Sequence, residues 1–261
     1  MNIRIYRVDA FTEKLFGGNP AAVCPLDWWL DAGLMQSIAM ENNLAETAFI
    51  VRNGSRFDIR WVTPAVEVDI CGHATLAAAH VVFNYLDSGA DRIEFISGRS
   101  GLLSVTKKGD LLTLDFPTDQ FAPVDPPEAL INGIGMRPLE TYLGKTDYLA
   151  ILPSQKVVEK VDPDFGKLAT LRARGVIISA EGETVDFVSR FFAPQSGTNE
   201  DPVTGSAHTT LIPYWSKRLD RTELTAMQLS AREGHLQCRY LGSRVEISGH
   251  AITYMIGEII V

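Results

Sequence analysis

The sequence predicts an α+β fold of two similar lobes, each a mostly antiparallel, barrel-like sheet wrapped round one central helix. Three observations carry this expectation. Short alternating apolar patterns, the mark of half-buried strands, outnumber helical ones. The pattern restarts after a proline-rich stretch. Each half also holds one segment that is apolar on nearly every side yet too short to cross a membrane, so each must lie buried at the centre of its own sheet.

In chain order, Ile3 and Ile5 alternate with Arg4 and Tyr6 as a strand, without the apolar core of a signal peptide. Asp31 is placed to cap a helix whose stripe is Leu34, Met35, Ile38 and Ala39 and which stops at Asn42-Asn43. Residues 47–51 read as a strand ended by Asn53-Gly54, and residues 57–63 alternate again. Residues 74–83 are the first apolar helix. Residues 102–106 and 111–116 form a hairpin about Lys107-Lys108-Gly109-Asp110. Pro117, Pro123, Pro126 and Pro127 mark a boundary, so residues 1–116 form one lobe and residues 117–249 the other. Beyond it come a strand at 148–152, a helix at 163–172, strands at 175–179 and 186–192, and the second apolar helix at 207–215, interrupted by Pro213.

The two halves echo one another. Arg60-Trp61-Val62-Thr63-Pro64, then Asp69, then Gly72-His73-Ala74 is matched by Arg190-Phe191-Phe192-Ala193-Pro194, then Asp201, then Gly205-Ser206-Ala207. Each is an arginine, an aromatic strand, a proline, a loop with an acid, and a glycine that opens a helix. The echo points to internal duplication.

Composition narrows the function. The chain has 261 residues, 46% hydrophobic and 21% charged, which is ordinary globular usage. A net charge of −8 argues against nucleic acid and anionic lipid as partners. Cys24, Cys71 and Cys238 are odd in number and widely spaced, so they make neither a disulfide framework nor a CxxC pair, and a reducing cytoplasm is expected. Gly133-Ile134-Gly135 lacks the third glycine of a dinucleotide fingerprint, and the chain has no P-loop, HExxH or GxSxG motif. His73 and His80 have no third ligand near them in sequence, so neither a metal nor a cofactor is expected.

Chemistry is expected at the starts of the two apolar helices. The first amides of a helix lack partners and carry the positive end of its dipole. A glycine there lets a ligand approach the backbone. Gly72-His73 and Gly205-Ser206 are therefore candidate anion sites, facing one another across a cleft between the lobes and suited to a small carboxylate. Glu46 and Asp201 are the candidate proton carriers, since a carboxylate enclosed by apolar walls can serve as a base. Their bland readings are an exposed acid for Glu46 and a helix-entry turn for Asp201. His73 could bind a carboxylate, shuttle a proton, or simply fill a core position.

Four segments then carry a resemblance. Phe16-Gly17-Gly18-Asn19-Pro20-Ala21-Ala22-Val23, Leu44-Ala45-Glu46-Thr47-Ala48-Phe49, Cys71-Gly72-His73-Ala74-Thr75 and Glu200-Asp201-Pro202-Val203-Thr204-Gly205-Ser206-Ala207-His208 together resemble the PhzF family of phenazine-biosynthesis-like isomerases. The resemblance implies the diaminopimelate-epimerase-like fold, a last strand at 250–261 returning to the first lobe, and a homodimer. It implies that Glu46 takes a proton from carbon and returns one elsewhere, and that His73 and Asp201 hold and protonate the substrate. It gives Asn19, Gly72, Gly205 and Ser206 substrate-binding roles. In the phenazine enzyme the reaction is isomerisation of a dihydro-hydroxyanthranilate without metal or cofactor. The expected activity is thus acid–base isomerisation of a small, carboxylate-bearing metabolite, cyclic ones included. Two alternatives stay open. Epimerases of this fold use two cysteines, and here Cys71 fills the first place but Thr204 the second, so a thiol mechanism would need a carboxylate as second base. A small-acid binder that turns nothing over is the other.

Overall fold

The computed structural model describes residues 1–87 and 89–261 as a mixed α+β chain with many strands and few helices. It divides into two compact units, Met1–Asp115 with Ser248–Val261, and Phe116–Ile247.

The first unit contains β1 (Asn2–Ala10), β2 (Asn19–Leu26), α1 (Ala32–Asn42), β3 (Glu46–Asn53), β4 (Arg56–Val62), β5 (Glu67–Val68), α2 (Gly72–Val81), β6 (Arg92–Ser97), β7 (Gly101–Lys108) and β8 (Leu111–Pro117). The C-terminal strand Ala251–Ile260 pairs antiparallel with β1, which pairs antiparallel with β2. From there the ladder alternates. β2 is parallel to β3, β3 antiparallel to β4, β4 parallel to β6, and β6 antiparallel to β7. β5 adds an antiparallel edge to β4. The Asp31 side chain accepts from Gly33 N–H and caps α1, and Asn43 closes that helix in the left-handed region. Every residue of α2 except His80 is buried, and the helix packs on β1, β2 and β3. It has no polar face because it meets no water, which is what an all-round apolar sequence requires.

The second unit contains β9 (Ala122–Pro123), α3 (Glu128–Ile134), β10 (Glu140–Leu143), β11 (Asp147–Ile151), α4 (Gln155–Lys160), α5 (Phe165–Leu168), β12 (Gly175–Glu181), β13 (Phe187–Ala193), β14 (Thr198–Glu200), α6 (Gly205–Leu219), β15 (Glu223–Gln228), β16 (Gly234–Tyr240) and β17 (Arg244–Gly249). Its ladder follows the same rule. β10 is antiparallel to β11, β11 parallel to β12, β12 antiparallel to β13, β13 parallel to β15, and β15 antiparallel to β16. β14 adds the antiparallel edge, as β5 does in the first unit. Phe187 stacks on Trp215 with ring centroids 5.8 Å apart, joining the long helix to its strands.

Three local differences from the sequence reading have physical causes. The helix expected over 163–172 is only α5, preceded by the separate α4. Pro163 disfavours helical backbone at the residue before it, so the segment breaks and restarts at the Asp164 cap, whose side chain accepts from Lys167 N–H. The stretch read as a boundary also holds α3, with Pro127 as N-cap, Glu128 in the first turn and Gly135 ending it at φ 77°. Finally, α6 begins at Gly205 and runs through Pro213 to Leu219, so the proline does not end the helix. Trp28 is exposed, while Trp29 packs against the core of Met35, Ile38 and Phe49. No helix among the described residues is long and apolar enough to cross a membrane.

Candidate functional site

In the first unit the fold brings Asn19, Glu46, Cys71, Gly72 and His73 together. Asn19 opens β2 and is fully buried. The turn before it is tightly specified. Gly18 sits at φ +61°, and a Cβ there would lie 2.1 Å from the Ala10 carbonyl oxygen. The Asp9 carboxylate accepts from Phe16 N–H at 2.9 Å, holding Phe16 at a positive φ. Glu46 is the first residue of β3, set directly after the α1 stop and opposite Ala21 of β2. Cys71 is the N-cap of α2, and His73 lies in its first turn.

The His73 imidazole bridges this group. Its Nε2 is 3.0 Å from Glu46 Oε2. Its Nδ1 is 3.1 Å from Asn19 Nδ2 and 3.5 Å from Cys71 Sγ. The Nε2–Oε2 contact is an ion-pair distance and not an aligned hydrogen bond. Burial works against a charged imidazole, but Cys71 and the Glu46 carboxylate outweigh it and hold His73 well above its ordinary pKa. Cys71 is itself a neutral thiol at pH 7, since burial, and then the charge on Glu46, push it up to about 11. The carboxylate is therefore the charge that stabilises the imidazolium.

Glu46, Cys71 and His73 also present metal-type donor atoms within 4.8 Å of one another. The sequence reading found no third ligand near His73, and the fold supplies two. Yet the ring stands between them, one nitrogen toward the thiol and the other toward the carboxylate.

In the second unit Asp201, Thr204, Gly205 and Ser206 surround the start of α6. Thr204 is the N-cap, and its hydroxyl donates to Asp201 Oδ2 at 2.6 Å and makes no bond to the helix amides. Gly205 is buried as the first helical residue. The Ser206 hydroxyl accepts from Arg174 Nη2 at 3.0 Å, and Arg174 is gripped on its other side by the buried Asp147 carboxylate. Gln228, fully buried at the end of β15, bonds to both Asp201 and Thr204. Arg174, Asp147 and Gln228 escaped the sequence reading. They sit at strand ends far from the motifs, and no spacing marks them. A cavity of about 1190 Å³ in this unit, lined by residues such as Phe121, Arg221 and Tyr240, includes none of these groups.

The model of the phenazine biosynthesis-like protein family matches residues 8–257. An uncharacterized isomerase of Pseudomonas aeruginosa is 52% identical, over 99% of this chain and 99% of its own. The crystal structure of a PhzF-family phenazine biosynthesis protein from Enterococcus faecalis superposes with a TM-score of 0.97 at 46% identity, covering all of both chains. A hydroxyproline epimerase from Agrobacterium vitis, 10% identical, shares the fold alone, with a TM-score of 0.62 over 99% of this chain and 92% of that one.

Proposed function

Because the chain belongs to the PhzC-PhzF family of phenazine biosynthesis-like proteins, we propose that it is a cofactor-independent isomerase of a small, carboxylate-bearing metabolite, cyclic ones included. Glu46 is the group that moves the proton. The observation that carries the reading is the 3.0 Å contact between Glu46 Oε2 and His73 Nε2, with both groups largely enclosed.

In this mechanism the Glu46 carboxylate takes a proton from a substrate C–H bond. The electron pair left behind spreads through the substrate's adjoining π system. Glu46, now a carboxylic acid, returns the proton to a different carbon, and the carboxylate is restored. One proton leaves and one arrives, no electrons are lost, and the double bond shifts. A single carboxyl that alternates between base and acid suffices for such a 1,3 shift. The His73 ring pairs with Glu46 at 3.0 Å, and Asn19 lies 3.1 Å from its far nitrogen. Gly72 offers a helix-start amide to developing negative charge. Asp201, Gly205 and Ser206 are assigned to holding the substrate, with Asp201 as the second proton-bearing group. In the same reading the protein works as a cytoplasmic homodimer, without nucleic acid or membrane.

The thiol alternative is disfavoured by the burial of Cys71, which keeps it protonated at neutral pH and so a poor base. Proton NMR in D2O, with a dihydro-hydroxyanthranilate and a panel of small cyclic acids and amino acids, tests the proposal. Deuterium entering at a carbon other than the one deprotonated supports isomerisation. Exchange at the same carbon with loss of configuration points to an epimerase. Ligand line-broadening without exchange points to a binder.

A further inference from the structure

The wiring behind Asp201 leads to a residue that no motif marks. Gln228 has no exposed surface. Its Oε1 accepts from Thr204 N–H at 2.8 Å. Its Nε2 donates to the Asp201 carbonyl at 2.7 Å and to Thr204 Oγ1 at 3.2 Å. Only one orientation of the amide fits, since turning it over would set N–H against N–H and oxygen against oxygen. Because Thr204 Oγ1 accepts from Gln228, its own proton is directed outward, and it goes to Asp201 Oδ2 at 2.6 Å. The hydrogen bonds therefore run one way, from amide to hydroxyl to carboxylate.

Two further features fit this direction. A threonine at an N-cap ordinarily turns its hydroxyl back to the first helix amides. Thr204 does not, and makes no side-chain bond to α6. Gln228 itself is set by the sheet, opposite Gly234 on β16 and beside Ser189 on β13. Gly234 has no room for a side chain, since a Cβ there would lie 2.2 Å from Val203 Cγ2 in the Asp201–Thr204 loop. The rigid strand pair thus presses on the loop and holds it by hydrogen bonds.

We infer that Gln228 is a positioning residue which, through the Thr204 hydroxyl, fixes the direction of the Asp201 carboxylate. The consequence for turnover rests on the proposed role of Asp201, while the positioning itself does not. Gln228 touches no substrate in this account. It acts by removing the freedom of Asp201 to rotate, and a misplacement of about 1 Å at a reacting group can cost about a hundredfold in rate.

The test uses the full chain carrying 13C-labelled aspartate carboxyls, with the Asp201 resonance assigned by its loss in Asp201→Asn. Wild type is compared with Thr204→Val, Thr204→Ser and Gln228→Met, each first shown to be folded by circular dichroism. The Thr204→Val and Thr204→Ser pair keeps the test intact if Gln228→Met fails to fold. The expected result is that the Asp201 carboxyl shift and its titration midpoint move together in Thr204→Val and Gln228→Met and return in Thr204→Ser. Deuterium exchange into the dihydro-hydroxyanthranilate should then fall about tenfold to a hundredfold in kcat for the first two, with KM within about threefold, and recover in Thr204→Ser. An Asp201 resonance that titrates identically in all four proteins overturns the inference. A resonance that moves as expected while exchange is unaffected upholds the positioning and removes Asp201 from the reaction.

Discussion

At the start of α2 the Cys71 carbonyl accepts the hydroxyl of Thr75; at the start of α6 the Thr204 carbonyl accepts Nδ1 of His208 at 2.8 Å. In each case the side chain four residues into the helix closes onto the N-cap carbonyl, and in each case the N-cap side chain makes no bond to the helix amides. Upstream the match continues. Arg60 grips Glu67 through two bonds in the first unit, and Arg190 grips Glu200 through two bonds in the second. The strand ladders alternate in the same order. What differs is the chemistry placed on this shared frame. The first start carries a thiol, an imidazole and a carboxylate in line, while the second carries an amide, a hydroxyl and a carboxylate. The comparison teaches that the backbone plan sets where a polar group can stand, and the side chains placed there decide what chemistry it offers.

The paired arginines separate the two regions most sharply. The Arg190 side chain is 11% exposed and also donates to the Val158 and Val161 carbonyls, whereas that of Arg60 is 29% exposed. Arg190→Met should therefore cost about 3 kcal/mol, because it strands a carboxylate and two carbonyls. Arg60→Met should cost about 1 kcal/mol. Urea unfolding of both variants checks the difference, and equal losses would contradict it.

The buried histidines should respond to pH in opposite directions. His208 is held down to about 4 by burial, against the opposing bond to the Thr204 carbonyl. Its folded value lies below its unfolded one near 6.5, so its contribution is complete above that pH and is lost as pH falls toward 4, on the order of 3 kcal/mol. His73 is raised, so its contribution is complete below about 6.5 and is lost as pH climbs through its folded value. Urea midpoints measured from acid to alkaline pH should show a flatter acid limb in His208→Gln and a flatter alkaline limb in His73→Gln. Unaltered limbs would contradict both assignments.

On the rate itself, Asp201→Asn should slow carbon exchange about tenfold to a hundredfold, or about 1.4–2.7 kcal/mol of barrier, while line-broadening shows that ligand still binds. Full activity would reduce Asp201 to a helix-entry turn. The smallest expected effect is on stability. Measured above the pH at which His73 loses its charge, Glu46→Gln keeps an oxygen facing a neutral imidazole and should leave unfolding within about ±0.5–1 kcal/mol of wild type. Loss of folding would make Glu46 structural.

Much of this was legible in the sequence. The all-round apolar segments announced the buried helices, because a helix without a polar face has no stable place in water. The arginine–aromatic–proline echo marked equivalent strands, and the short motifs named Asn19, Glu46, His73 and Asp201 as candidates. The residues that hold those groups were not legible. Gln228, Arg174 and Asp147 act through contacts made only once strands far apart in sequence are paired. The short helices α3 and α4 were not foreseen, and the helix expected over 163–172 is the shorter α5, because proline both breaks helices and begins them, and which it does depends on the neighbours it packs against.

The central claim is that Glu46, and not Cys71, carries the proton. Initial rates of deuterium incorporation at carbon, measured side by side for wild type, Glu46→Gln and Cys71→Ser with a compound the wild type exchanges, test it directly. The account predicts a fall of about 10²–10⁴-fold in Glu46→Gln and a rate within about threefold of wild type in Cys71→Ser. Exchange that survives in Glu46→Gln but vanishes in Cys71→Ser would contradict it and make the thiol the base.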